Sequence, residues 1–175
     1  MRPEEYLGLQ WKDIDFENHA LSVCRAVVSR SSGGFQFTEP KTKKSRRSLT
    51  LSGSSIGVLK AHKRVQLEAR MRLGSDYNNH DLVFATELGT PLDRKNLRNR
   101  HFRQVCAKAG LPQIRLYDLR HTTATLLLSK GINPKIVSER LGHASIVLTL
   151  DTYSHVLPTM QRDATEQIER LMCGT

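Results

Sequence analysis

Apolar positions along the chain change period several times, and each change predicts an element. Pro3, Glu4 and Glu5 ahead of Tyr6, Leu7 and Leu9 predict a short helix ending near Trp11, because proline suits a first helical position and acids suit a first turn. Leu21, Val23, Ala26, Val27 and Val28 predict a strand over 20–28, Ser31 to Gly34 a turn, and Phe35 to Phe37 a return strand. Arg47 to Leu51 predicts a third strand, and the three together suggest a small antiparallel sheet. Ile56, Leu59, Val65 and Leu67 lie at helical spacing between Ser54 and about Arg72, with a loop over 74–79 and a short apolar strand, Leu82 to Phe84, after it.

Helical periods dominate the remainder. Asp93 is placed to cap a helix running to Ala109 and stopped by Gly110 and Pro112, with Leu97, Phe102, Val105 and Ala109 inward. A second helix covers Asp118 to Lys130 and ends at Gly131. Asn133 caps and Pro134 opens a third that ends at Gly142, leaving His143 just past a helix terminus. Ser145 starts a shorter helix carrying Tyr153, and Pro158 separates it from a polar helix, Thr159 to Met172. The expected class is α+β, mostly helical with one small antiparallel three-stranded sheet. A length of 175 residues suggests one domain with a real core.

Charge changes the picture from fold to partner. The chain has 27 Lys and Arg against 17 Asp and Glu, a formal net charge of +10, which favours a polyanionic partner. Double-stranded DNA is the expected one, and no membrane is expected, since no apolar run approaches the roughly 20 residues that span a bilayer. Cys24, Cys106 and Cys173 are odd in number and widely spaced, which suggests neither a disulfide framework nor a zinc ribbon; Cys24 and Cys106 are expected as small core residues. His62, His80, His101 and His155 form no ligand spacing, so no metal and no cofactor are expected. A cytoplasmic, nucleoid-associated protein fits these features.

The candidate chemistry lies between Tyr117 and Tyr153. The chain reads Tyr117-Asp118-Leu119-Arg120-His121-Thr122, then Leu141-Gly142-His143, then Thr149-Leu150-Asp151 and Tyr153. With Arg2-Pro3-Glu4-Glu5 and Gly8-Leu9 at the start, and Lys41-Thr42 in the basic run 41–47, this set resembles the catalytic core of the tyrosine recombinases, the phage-integrase family. The resemblance implies a catalytic domain over 1–175 that cleaves and rejoins DNA without metal through a 3′-phosphotyrosyl link.

The roles follow from that resemblance, and elementary chemistry makes each intelligible. Charge grows on the non-bridging oxygens as phosphorus becomes five-coordinate, and Arg2 and Arg120 match the two arginines that hold them, their planar forks suiting two phosphate oxygens. His143 matches the imidazole that hydrogen-bonds a phosphate oxygen, and Tyr153 the nucleophile. Lys41 matches the lysine that protonates the leaving 5′-oxygen, with Lys43 as the alternative in the same run. Tyr117 stands where the family usually has a histidine two residues before Leu119-Arg120 would place it in His-x-x-Arg, and a phenol with an ordinary pKa of about 10 is a poor base near neutrality. His121 points roughly 100° further round the helix than Arg120, so it is not expected to substitute.

Lys43, Lys44, Arg46, Arg94, Lys95, Arg98, Arg100 and Arg103 are expected to contact the phosphate backbone. The resemblance begins at Arg2, so the chain is expected to lack the start of the catalytic domain and the core-binding domain before it. It also implies a homotetramer on DNA for the full-length protein, and a monomer for this chain alone. Three other readings stay open: a helix-turn-helix module over Leu126 to Leu148, a catalytically impaired remnant that keeps its DNA affinity, and a relaxing topoisomerase of the same chemistry.

Overall fold

A computed structural model describes residues 1–30, 34–39, 46–154 and 157–173, with 157–163 as backbone alone. These residues group into two compact units, Met1–Leu116 and Tyr117–Thr175, within a chain whose length suggests one domain.

The first unit opens with helix α1 (Pro3–Leu7) and a 3-10 turn, Trp11–Asp13, so the predicted helix stops at Gly8 rather than at Trp11. Gly8 is there for packing: a Cβ would sit 2.9 Å from the Val27 backbone nitrogen and 3.0 Å from the Ala26 carbonyl carbon. Strands β1 (Ile14–Asp15), β2 (Ala20–Val23), β3 (Ala26–Ser29), β4 (Phe35–Thr38) and β5 (Arg47–Thr50) follow. The three-stranded antiparallel sheet is present, but its order is β1-β2-β5, while β3 and β4 form a separate hairpin. Ile14 pairs with Leu21, Val23 with Arg47, and Val27 with Phe37.

The strand predicted over 20–28 is broken at Cys24 and Arg25, and the cause is tertiary. The Cys24 thiol donates to Asp13 Oδ1 at 3.2 Å and the Arg25 guanidinium pairs with the other oxygen of the same carboxylate. Both side chains are drawn to one buried acid, and the chain turns into the second sheet there. Cys24 is half-buried in consequence, whereas Cys106 is a core residue as expected.

Helix α2 (Gly53–Leu73) lies as predicted, its amide at Ser55 capped by the Ser52 hydroxyl. The strand expected at Leu82 to Phe84 is not one: Leu82 makes a single bridge to Gln10, and the Val83 amide donates to the Leu9 carbonyl at 2.9 Å. Val83 still fills the core with Leu9, Trp11, Ile14, Leu21 and Val23, and Phe84 packs against it. Asp93 caps the next helix by accepting from the Asn96 amide. That helix has three parts, α3 (Arg94–Asn96), a π-helical stretch Leu97–Phe102 and α4 (Arg103–Lys108). The wider π turns carry extra residues, which resets the inward face. Val105 and Ala109, expected inward, are exposed, while Cys106 is buried.

The second unit is helical: α5 (Asp118–Ser129), α6 (Pro134–Leu141), α7 (Ile146–Tyr153) and α8 (Leu157–Cys173). Asn133 and Ser145 cap α6 and α7 as predicted, accepting from the Lys135 and Val147 amides. Pro158 falls inside the first turn of α8, a position where proline forfeits no intrahelical bond. Ala124, Leu128, Val137, Leu141 and Tyr153 form the core.

Candidate active site

Helix α5 supplies two side chains to one place because of its period. Arg120, Ala124 and Leu128 recur at four-residue intervals and form the buried stripe. Tyr117 and His121 occupy the adjacent stripe one turn apart, and their rings meet edge to face with centroids 5.2 Å apart. Arg120 is 6% exposed and its Nη2 donates to the Leu141 carbonyl oxygen at 2.7 Å, which ties α5 to the last turn of α6. That acceptor is neutral, so the bond orients the guanidinium without cancelling its charge.

The end of α6 then sets His143. Gly142 adopts the left-handed conformation, φ 69° and ψ 43°, which a side chain disfavours. With that turn made, the Gly142 amide donates to Glu139 O at 2.9 Å and the His143 amide to Ser138 O at 3.0 Å. These are the two bonds of a Schellman motif, and they fix His143 by its backbone. Its ring is fixed as well: Nδ1 lies 2.8 Å from the Thr149 hydroxyl. Thr149 is fully buried, and one turn later on the same face of α7 comes Tyr153.

Tyr153 is 2% exposed, and its hydroxyl shares a hydrogen bond of 2.9 Å with His121 Nδ1. The two rings are tilted, with centroids 5.9 Å apart. Burial pushes the phenol above its ordinary pKa; the Arg120 charge pulls it partly back, and Tyr117 adds to the rise. The group is therefore a neutral phenol that needs help to become a nucleophile. Of the residues singled out in the sequence, Tyr117, Arg120, His143 and Tyr153 lie in this unit and are linked through His121, Leu141 and Thr149. His121, which the helical angle had set aside, is the residue that touches the Tyr153 oxygen. Thr149 was legible as part of a motif but not as the partner of His143.

Arg2 lies in the other unit, at the mouth of α1. Its amide donates to Glu5 Oε2 at 2.7 Å, the half of a capping box that Glu5 supplies, and its guanidinium donates to Glu5 Oε1 at 3.1 Å. Glu5 is 4% exposed and also takes both arms of Arg47, at 3.1 and 2.8 Å. Burial alone would raise the Glu5 pKa, but the Arg47 hydrogen bonds, the Arg2 amide and the two cationic charges outweigh it and hold the carboxyl below its usual range. Arg47, read in the sequence as the start of a strand, is thus the second clamp on the acid that positions Arg2.

Lys41, Lys43 and Lys44 lie outside the described residues. Arg46 is exposed and paired with Glu39 at 2.6 Å. Along α3, the π turn and α4, Lys95, Arg98, Arg100 and Arg103 are exposed; Arg94 pairs with Glu4, and Arg103 donates to Gln113 at 2.8 Å. Among the described residues, no group of three or more His, Cys, Asp or Glu is placed to hold a metal ion, and no helix is long and apolar enough to cross a membrane.

Residues 1–160 match the phage integrase family. The chain is 37% identical to a XerC-like tyrosine recombinase of Caldanaerobacter subterraneus subsp. tengcongensis, over 98% of this chain and 46% of that one. It is 33% identical to the ICEBs1 integrase of Bacillus subtilis, over 98% and 46%. Among solved structures, the Tn1549 transposon integrase in complex with transposon right-end DNA superposes with a TM-score of 0.77 at 22% identity, over 95% of this chain and 54% of that one. The chain spans about half the length of the curated relatives it matches. With its helical class, its small antiparallel sheet and a family match over nearly its whole length, the chain belongs to the phage integrase family.

Proposed function

We propose that residues 1–175 are the catalytic domain of a site-specific DNA recombinase that cleaves one strand by attack of Tyr153 on a phosphodiester. The observation that carries this reading is the buried Tyr153 hydroxyl, hydrogen-bonded to an imidazole and lying in the field of the buried Arg120. Arg2, Arg120 and His143 hold the non-bridging oxygens, where charge accumulates in the transition state. Lys41 protonates the leaving 5′-oxygen. Tyr153 stays esterified to the 3′-phosphate, so the energy of the broken bond is retained and a 5′-hydroxyl can reverse the step without ATP. A helix-turn-helix reader would gain nothing from a tyrosine held in this way.

The remaining basic side chains, Lys43, Lys44, Arg46, Lys95, Arg98, Arg100 and Arg103 with Arg94, contact the phosphate backbone of the duplex. The relatives include an integrase of Staphylococcus phage L54a and a transposase from transposon Tn916, which supports a role in moving a DNA element. A DNA substrate supports a location in the cytoplasm with the nucleoid. Ile168, Leu171 and Met172 of α8 are exposed apolar residues, which supports docking of that helix on another protomer when several copies meet on DNA.

The test is a nicked suicide substrate, whose cleavage releases a short strand and traps the intermediate. Incubated with the protein in EDTA, it is expected to yield a covalent adduct mapping to Tyr153, and Tyr153→Phe is expected to yield none. An adduct at another residue, or cleavage that persists in the Phe variant, would refute the reading.

A further inference from the structure

We propose that His121 is the base that takes the phenolic proton of Tyr153 during strand cleavage, a role resting on the recombinase reading above. The family usually has an imidazole at the position of Tyr117, and here that position holds a phenol. The structure supplies an imidazole one helical turn on. His121 Nδ1 is 2.9 Å from the Tyr153 oxygen, within the reach a proton transfer needs. Among the described residues it is the hydrogen-bond partner of that hydroxyl. Tyr117 lies edge-on to the His121 ring, so the residue that displaced the usual imidazole helps to orient this one.

Three further observations fit the assignment. Tyr153 is almost wholly excluded from water, so bulk solvent is a poor acceptor for its proton. Burial favours the neutral phenol, which makes a base necessary rather than incidental. His121 itself is only half-buried, so the imidazolium formed by the transfer is not stranded in an apolar core.

The step balances within the site. With its proton on Nε2, neutral His121 presents a lone pair at Nδ1. The Tyr153 O–H bond breaks and an N–H bond forms at Nδ1, while the phenolic oxygen bonds to phosphorus. The bond from phosphorus to the 5′-oxygen breaks, and that oxygen takes a proton from the general acid. On rejoining, the attacking 5′-hydroxyl returns its proton to that acid, and the imidazolium returns its own to the departing Tyr153 oxygen.

Two measurements test the proposal. Single-turnover cleavage of the nicked substrate, with DNA affinity measured in parallel, is expected to slow about 100-fold in His121→Ala and His121→Asn at near-normal affinity. Added imidazole is expected to restore His121→Ala in a saturable manner, a response that a purely structural loss would not show. The Asn variant keeps a polar side chain able to hydrogen-bond Tyr153 but no base, which guards against misfolding of the Ala variant. Wild-type rates in both variants, or slow variants without imidazole rescue, would overturn the role while leaving Tyr153 as nucleophile. A wild type that forms no adduct would overturn both readings. The second measurement needs no DNA: nitrogen NMR of the His121 ring is expected to show a bare Nδ1 and a protonated Nε2. A neutral ring protonated at Nδ1 would overturn the proposal whatever the activity.

Discussion

The two units hold their arginines by opposite means, and the contrast shows what each arrangement is for. In the first, Arg2 and Arg47 converge on the buried Glu5 carboxylate, Arg47 buried beside it and Arg2 partly exposed. The acid neutralises much of what it holds, and the gain is position. In the second, the Arg120 bond to the Leu141 carbonyl fixes direction with a neutral partner. A guanidinium aimed in advance by a fixed carbonyl loses little on binding an anion, since its direction is already set. The first cluster thus behaves as a clamp closed on a carboxylate, and the second as a guanidinium aimed by the backbone of the neighbouring helix.

The largest effect that would break this contrast comes from Arg120. Arg120→Ala is expected to lower the single-turnover cleavage rate by about 10²- to 10³-fold, the loss usual for a group that stabilises charge in the transition state. Arg120→Lys keeps a charge but loses the planar fork, so it is expected to recover little of that rate. Quantifying the tyrosyl adduct over time checks both. A lysine variant with wild-type kinetics would show that charge alone matters and that the bond to Leu141 is dispensable.

How much of this was legible beforehand depends on the range of the forces. The helices were, because caps and apolar periods are local: Asp93, Asn133 and Ser145 cap where they were expected to. Strand pairing was not. Nothing near β2 says that its partner is β5 rather than β4, since that choice is made by the shared pull of Asp13 on Cys24 and Arg25. Val105 was expected inward and is exposed because a π turn resets the helical phase, whereas Cys106 is buried as expected. In the site, Tyr117, Arg120, His143 and Tyr153 stood out as motifs. The bond from His121 to Tyr153 spans 32 residues and depends on how α5 meets α7. The spacing of Tyr117 and His121 was the one local hint.

Glu5 should affect stability where Arg120 affects rate. Glu5→Gln removes the charge that Arg47 is buried against, and is expected to cost about 3 kcal/mol, the lower end for breaking a buried pair because the amide still accepts one hydrogen bond. Trp11, the single tryptophan, lies in the core of the same unit and reports its unfolding in urea. The pH dependence has a definite sign. Because the folded carboxyl titrates below its unfolded value, its contribution is present above the unfolded pKa and is lost as pH falls through the folded one. Wild type and variant are therefore expected to differ most near neutrality and to converge in acid. A constant difference down to low pH would mean that the carboxylate charge is not what stabilises this unit.

The smallest effect is the most discriminating, because the second unit contains an internal control. Gly131 and Gly142 both end a helix with positive φ, 73° and 69°, and both close a Schellman motif. In the first, the amides of Gly131 and Ile132 donate to Leu128 and Leu127; in the second, those of Gly142 and His143 donate to Glu139 and Ser138. An alanine at either position pays the left-handed penalty, so each variant is expected to lose about 1 kcal/mol of stability. Only Gly142→Ala should also slow cleavage, by about tenfold, because the residue that follows it is His143, and relaxing the turn draws that ring away from the Thr149 hydroxyl. Gly131→Ala, followed by Ile132, is expected to cleave at the wild-type rate. Equal rate losses in the two variants would mean that the turn after α6 serves the fold alone, and that His143 does not depend on Gly142 for its place.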